Sequence, residues 1–431
     1  MTTIFEKFPA GAIAPEGFGS AKSASSRSCA RAAVPRQFDG IICIGGEDWW
    51  YHNRGHFDFQ IMRRLARRYP VLFVNSLGVR MPSFKSGSLF AARIARKVKS
   101  LSRGVVHVEN GFWVFSPIMA PGPTGQMLSD FALAPQIRLA ARRAGIRKPL
   151  LWVHCPAGAK LMDEIDAAAC VMQRTDRFEA FPEADPTVVA RQIAHMKSRA
   201  DLVVYAAPHL MREETGEVRA QVLVTHGVEL QRFVAAGEAA DRDRRACDPA
   251  DIAHLAHPRV GFVGGMDHHT FDPELFVEVA RRLEGVEFVM VGGSSLAEGW
   301  CPLPNVTFVG RKPYDEVASY MAACDCLVMP WNRSDWIRAC NPVKLKEYLA
   351  VGRPIVTTDF AALDGWRHLV TVASGGQDFA NAILESLARP IERAVQRASV
   401  AGESWDGKAD LLAATFADMG LTFVGTPPRA D

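Results

Sequence analysis

From Gly40 onward the chain alternates short apolar runs with longer stretches whose apolar positions recur at helical spacing. The runs Ile41–Ile44, Val71–Asn75, Val105–Val108, Leu151–His154, Cys170–Arg174, Leu202–Tyr205 and Val222–Thr225 read as strands. The stretches 55–68, 89–100, 124–144, 157–167 and 186–199 between them read as helices. A second series starts at Val260. Its predicted strands are Val260–Val263, Glu287–Val291, Val306–Val309, Leu327–Pro330, Ile355–Thr358 and Val370–Val372, and its helices cover 272–284, 313–323, 342–351 and 377–388. Alternation of this kind predicts the α/β class, with two doubly wound Rossmann-like domains of parallel strands whose ligands lie in the cleft at the strands' carboxyl ends. The expected boundaries are a flexible arm over 1–38, a first domain over 39–235, a polar and charged linker over 236–256, and a second domain over 257–398. A last helix over 399–420 and a tail over 421–431 follow.

The stretch from Asn341 to Val356 holds the strongest chemical signal. Asn341 is a good N-cap and Pro342 suits the first helical position, so the positive end of this helix is expected to face an anion. Lys344 adds a full charge at the same spot. Glu347, three residues further, offers a carboxylate to two vicinal hydroxyls such as those of a ribose. Gly352 closes the helix and Pro354 prevents its continuation. The pairs Gly45-Gly46, Gly264-Gly265 and Gly292-Gly293 each follow a predicted strand and permit close backbone approach to a ligand, as they would in any tight turn. None completes a G-x-G-x-x-G pattern, which argues against a dinucleotide site.

Composition changes this picture in two ways. Nine cysteines with no repeating framework fit reduced thiols in a cytoplasm, and no apolar run is long enough to span a bilayer. The formal net charge of +3 hides an asymmetry, since residues 54–103 hold twelve basic side chains and one acidic one, Asp58. Such a local field is expected to meet an anionic partner.

Several motifs are similar to those of GT-B glycosyltransferases of bacterial surface-polysaccharide synthesis. Gly261-Phe262-Val263-Gly264-Gly265-Met266 with Phe271-Asp272-Pro273-Glu274-Leu275-Phe276 resembles the opening of the donor domain in xanthan-type glucuronosyltransferases. The Pro-x-Lys-Leu-x-Glu-Tyr-Leu-Ala-x-Gly-x-Pro pattern at 342–354 resembles their nucleotide-binding segment. His226-Gly227-Val228-Glu229 with Phe233 is similar to the entry to their interdomain segment, and Ser404-Trp405-Asp406 to the start of the helix that crosses back to the first domain. The resemblance implies a UDP-type nucleotide-sugar donor, with glucuronic acid as one candidate sugar, and a lipid-linked glycan acceptor. It implies donor-binding roles for Gly264, Gly265, Gly293, Asn341, Lys344 and Glu347. The retaining family of this fold has two glutamates seven residues apart, and here Ala339 stands at the first position. The stronger likeness is to inverting members, which makes Asp176, directly after a predicted strand, the expected catalytic base. Asp176 can equally cap the turn that follows it.

Glu47 and Asp48, after the first strand, are the alternative bases, and Trp49, Trp50 and Tyr51 offer aromatic faces for acceptor sugar rings or for packing beneath the loop. Around 89–101, Phe90, Ile94, Val98 and Leu101 share one helical face while Arg93, Arg96, Lys97 and Lys99 surround the other. This is the pattern of an interfacial helix on anionic lipid or of a solvated helix, and the nearby Arg63, Arg64, Arg67 and Arg68 favour lipid. The expectation is an enzyme peripheral to the inner face of the cell membrane. No nucleic-acid partner is expected, because aromatics do not interleave with the basic residues. No metal or other cofactor is expected either. His52 and His56 lack an accompanying glutamate, and Asp241-Arg242-Asp243 reads as solvated charge.

Overall fold

The computed structural model describes residues 36–51, 55–77, 103–118, 123–180, 185–334, 337, 342–389 and 391–428. A short strand β1 (Arg36–Phe38) leads into an eight-stranded sheet: β2 (Gly40–Ile44), β3 (Val71–Val74), β4 (Val105–Glu109), β5 (Phe112–Phe115), β6 (Pro149–Val153), β7 (Ala169–Arg174), β8 (Leu202–Tyr205) and β9 (Gln221–Leu223). A six-stranded sheet follows, built from β10 (Arg259–Val263), β11 (Glu287–Val291), β12 (Val306–Gly310), β13 (Cys326–Met329), β14 (Ile355–Thr357) and β15 (Thr371–Val372). The strand orders are β4-β5-β3-β2-β6-β7-β8-β9 and β12-β11-β10-β13-β14-β15. All neighbours are parallel except β4 and β5.

Strand order reverses between β2 and β6 in the first sheet and between β10 and β13 in the second. These are the switch points where such sheets open a crevice. Both sheets are buried on two faces, which accounts for continuous apolar runs in place of alternation. In β2, Ile41 and Cys43 enter the cluster that contains Phe59 and Trp405, while Ile42 and Ile44 enter the opposite one with Ile137 and Ile193.

Four features depart from the expected organisation. Arg36–Phe38, at the end of the stretch read as an arm, pairs in parallel with β16 (Leu421–Phe423), inside the stretch read as a tail. The sheet is not wholly parallel, because Phe112–Phe115 forms a hairpin with β4 through Asn110-Gly111, with Gly111 at φ 69. The 236–256 stretch is not a simple linker. Helix Leu230–Arg242 packs Phe233 and Ala240 into the second domain's core beside Tyr348 and Leu349, so the crossing between domains precedes it. Asp241 is not solvated charge: its carboxylate binds Arg353 at 2.7 Å and Arg397 at 2.8 Å, and Arg353 is almost wholly buried.

The basic surplus in 54–103 is also partly spent inside the molecule. Arg63 pairs with Glu109 at 2.7 Å, Arg64 and Arg67 with Asp406 at 3.3 and 2.5 Å, and Arg68 with Asp410. Arg64, Arg67 and Arg68 link helix Phe57–Leu65 and the turn after it to helix Trp405–Asp418, and Arg63 ties the same helix to β4, so part of this charge is matched within the fold. Arg93, Arg96, Lys97 and Lys99 lie outside the described residues. Among the described residues no helix is long and apolar enough to cross a membrane.

Candidate donor and acceptor site

Helix Val343–Val351 starts at the carboxyl end of the second sheet. Pro342 occupies the N-cap position (φ −72, ψ 124) and makes no side-chain cap, so the helix starts one residue later than expected; Asn341 lies outside the described residues. Gly352 ends the helix in the left-handed region at φ 76, where a Cβ would be strained. The helix is buried from Leu345 to Val351, and the Tyr348 hydroxyl accepts from the Val263 N–H of β10 at 2.9 Å.

Lys344 reaches across to the first Gly pair. Its ammonium lies 5.0 Å from the Phe262 ring centroid and 5.8 Å from that of Trp331, and a Cβ on Gly264 would fall on Nζ. Gly264 therefore leaves the space this charge occupies. A Cβ on Gly292 would collide with the Gly264 carbonyl, so the loops after β10 and β11 lie backbone against backbone. Arg311 covers Gly293, with Nε 2.5 Å from where a Cβ would stand. Gly265 is less crowded, its nearest neighbour being the Asp267 carboxylate at 3.1 Å. Helix dipole, ammonium and guanidinium thus surround a cradle of exposed backbone, an arrangement suited to a diphosphate.

Glu347 lies one turn beyond Lys344. It is 5% exposed and its Oε1 accepts from the Tyr314 hydroxyl at 3.0 Å. Burial raises its carboxyl to about 7 against the lowering effects of Tyr314 and Lys344, and Glu229 adds to the rise. A buried carboxyl near neutrality can either accept from or donate to a ligand hydroxyl.

On the facing domain the structure assembles a chain of polar groups at the β2/β6 switch point. Asp58, fully buried, accepts from the Gly46 N–H at 3.0 Å and lies 3.2 Å from His154 Nδ1, while His154 Nε2 lies 3.1 Å from Thr175 Oγ1. Burial works to raise the Asp58 carboxyl, but the hydrogen bonds and charges of His154, the charge of His56 and the Gly46 N–H outweigh it and hold it at about 2. A Cβ on Gly46 would meet the His154 ring at 2.7 Å, so that glycine admits the imidazole. Asp176 is half-buried beside this chain. Burial raises its carboxyl above the ordinary range, opposed by the charge of His154, a hydrogen bond from Thr175 and the charge of Arg174. The ionised carboxylate, the imidazole it orients and a carboxyl of raised pKa form a proton-handling group.

The loop after β2 carries the remaining expected residues. Trp49 is fully buried, packed on Phe59, Phe73 and Phe112 at 5.3, 6.5 and 4.9 Å, and so offers no face to a sugar. Trp50 is half-buried beneath the Arg103 guanidinium at 4.2 Å, and Tyr51 is half-buried. Asp48 accepts from the Trp50 N–H at 2.9 Å and Glu47's carbonyl from the Ser76 N–H at 3.2 Å, so both help to shape their own loop. Among the described residues no group of three His, Cys, Asp or Glu side chains is placed to hold a metal ion.

The two halves of the cleft are joined beneath the donor helix. Lys346, 3% exposed, donates to the His226 carbonyl at 2.5 Å and the Thr225 hydroxyl at 3.1 Å, and pairs with Glu403 at 2.5 Å. Burial lowers its ammonium to about 8 while Glu403 works to raise it. One side chain thereby links the end of the first domain, the donor helix and the returning C-terminal segment.

Comparison with known proteins accords with this geometry. Residues 257–389 match the family model described as Glycosyl transferases group 1. A Bacillus subtilis (strain 168) protein named as a teichuronic acid biosynthesis glycosyltransferase, TuaH, is 29% identical over 170 residues, covering 37% of this chain and 41% of the relative. Sucrose-phosphate synthase from Thermosynechococcus elongatus superposes with a TM-score of 0.64 at 16% identity, over 88% of this chain and 99% of that one. Anabaena HepE in complex with UDP superposes with a TM-score of 0.57 at 14% identity over the same shares, and was also solved with UDP-glucose. The chain therefore has the GT-B fold, and the match to the group 1 glycosyltransferase model falls on its second domain.

Proposed function

We propose that this protein is a nucleotide-sugar-dependent glycosyltransferase that moves a sugar from a UDP-type donor to a lipid-linked glycan in surface-polysaccharide synthesis, acting at the inner face of the cell membrane. The observation that carries the donor assignment is the Lys344 ammonium seated on Gly264 at the start of a buried helix, with Glu347 one turn on. The diphosphate lies at Gly264, Gly293 and Lys344, and the nucleoside ribose is held by Glu347. HepE's complexes with UDP and UDP-glucose support a UDP-sugar donor, and the name of the Bacillus relative supports a polysaccharide product. Glucuronic acid is one candidate sugar.

The transfer is proposed to invert the anomeric centre. An acceptor hydroxyl is a poor nucleophile at neutral pH, and Asp176 is the base proposed to take its proton. A second reading gives that role to His154, because its ring lies between the Asp58 carboxylate and the Thr175 hydroxyl at hydrogen-bond distance. Donor binding is tested by thermal shift over a panel of nucleotide-sugars. Release of UDP that depends on added acceptor separates an enzyme from a binding module, and the anomeric configuration of the product separates inversion from retention.

A further inference from the structure

A cavity of ≈ 460 Å³ lies at the opposite end of the first domain from the cleft. Its floor is apolar, formed by Ile42, Ile146 and Ile165, and its rim carries Arg138, Arg142 and Arg147. Pro149, the first residue of β6, also lines it, whereas His154 follows the last; a five-residue strand spans roughly 16 Å. A ligand here would leave the donor site open.

Three arginines against one carboxylate give this rim a positive balance. Arg138 and Arg142 are one turn apart on helix Pro123–Arg143, where like charges repel. No described residue forms an ion pair with Arg138, Arg142 or Arg147, whereas Arg63, Arg67 and Arg174 of the same domain are paired, and Asp166 is the only carboxylate in the lining. The helix dipole accounts for cations in the last turn at Arg142 and Arg143. It does not account for Arg138, a turn earlier, or Arg147, beyond the helix end. Three guanidiniums lining one cavity with apolar side chains suit a phosphate attached to an apolar group.

The same helix points to the source of that phosphate. Phe131, Pro135, Arg138 and Arg142 recur at i, i+4, i+7 and i+11 and form one exposed stripe. Phe131 is 75% exposed and Leu139 55%, with the Lys160 ammonium 5.5 Å from the Phe131 ring and Ile118, 65% exposed, hydrogen-bonded through its backbone to Gln136. Large apolar side chains next to unpaired cations are what an interfacial surface presents to an anionic bilayer.

We propose that this pocket binds the phosphate of an anionic phospholipid headgroup while Phe131 and Leu139 enter the interfacial layer beside it. The proposal gives described residues to the membrane association proposed above and does not depend on the transferase reaction. The test uses the full chain in sedimentation with vesicles of phosphatidylcholine alone or mixed with phosphatidylglycerol, in a background carrying Arg93→Gln, Arg96→Gln, Lys97→Gln and Lys99→Gln so that residues 93–99 do not mask the result. Adding Arg138→Gln, Arg142→Gln and Arg147→Gln should weaken binding to the anionic vesicles by roughly tenfold to a hundredfold. Phe131→Ser with Leu139→Ser should remove the binding that survives high salt. A UDP-induced thermal shift equal to that of the wild type verifies the fold and separates this proposal from the donor-site assignment. Unchanged vesicle binding by the triple arginine variant overturns the proposal. So does displacement of the protein from vesicles by glycerol 3-phosphate or inorganic phosphate in micromolar amounts, which would assign the pocket to a soluble ligand.

Discussion

Replacing Lys344 by Ala removes the ammonium seated on Gly264 at the start of the proposed donor helix. A phosphate oxygen roughly 4 Å from an ammonium interacts with it by about 4 kcal/mol at an effective dielectric near 20. Lys344 is half-buried, so solvent screening reduces this, and truncation should cost about 2–4 kcal/mol, or roughly thirtyfold to a thousandfold in the Kd for UDP. The loss should be confined to the diphosphate, leaving the affinity for uridine unchanged. Alanine favours the helix at this position, so the variant should fold. Gly264→Ala offers an independent route to the same end, because the added methyl takes the place of Nζ while the charge remains in the protein; UDP affinity should fall in the same direction. Isothermal titration of both variants with UDP and uridine provides the readout. If Lys344→Ala binds UDP within twofold of the wild type, or loses uridine equally, the charge does not meet the phosphates and the site has been placed wrongly.

Three further outcomes are expected. Glu347 has a folded pKa of about 7 against an ordinary 4.5, so it binds more protons in the folded state between those values. Its penalty is absent below about pH 4.5 and complete above about 7, where Glu347→Gln should stabilise the protein by roughly 2–4 kcal/mol in chemical denaturation and flatten the loss of stability with rising pH. Asp58, held at about 2, contributes in the opposite sense. Asp58→Asn should cost roughly 2–3 kcal/mol at pH 7, and the difference should shrink as pH falls from about 4 towards 2. Asp176→Asn should lower turnover by about 10²–10⁴ with donor affinity unchanged; if it does not and His154→Gln does, the base is His154.

The proposed donor half of the site was legible because its signals are local. Lys344, Glu347 and the closing Gly352 belong to one helix, and the Gly pairs follow strands that apolar runs announce. The acceptor half was not, because Asp58 and His154 are 96 residues apart and meet only through the order in which β2 and β6 pair. Asp58 stood out in the sequence only as the lone acid among twelve bases, a signal whose meaning is clear once its burial is known. The same tertiary pairing explains Arg63 to Arg68, whose partners at Glu109, Asp406 and Asp410 no local reading supplies. Trp49 illustrates the limit within a single tripeptide, since three consecutive aromatics do not reveal which one turns into the core. The β4–β5 hairpin did carry a local signal, Asn110-Gly111 between two apolar runs, and the expectation of an all-parallel sheet passed over it.

The most direct measurement of the central claim follows a labelled sugar. The purified chain is incubated with UDP-sugars carrying label in the sugar, together with lipid-linked glycans extracted from cell membranes. The label should move from the aqueous nucleotide-sugar into the lipid-soluble fraction, with one UDP released per sugar transferred, and Lys344→Ala should abolish that transfer at donor concentrations near the wild-type Kd. A protein that binds UDP-sugars tightly and leaves every label in the aqueous phase would contradict the account.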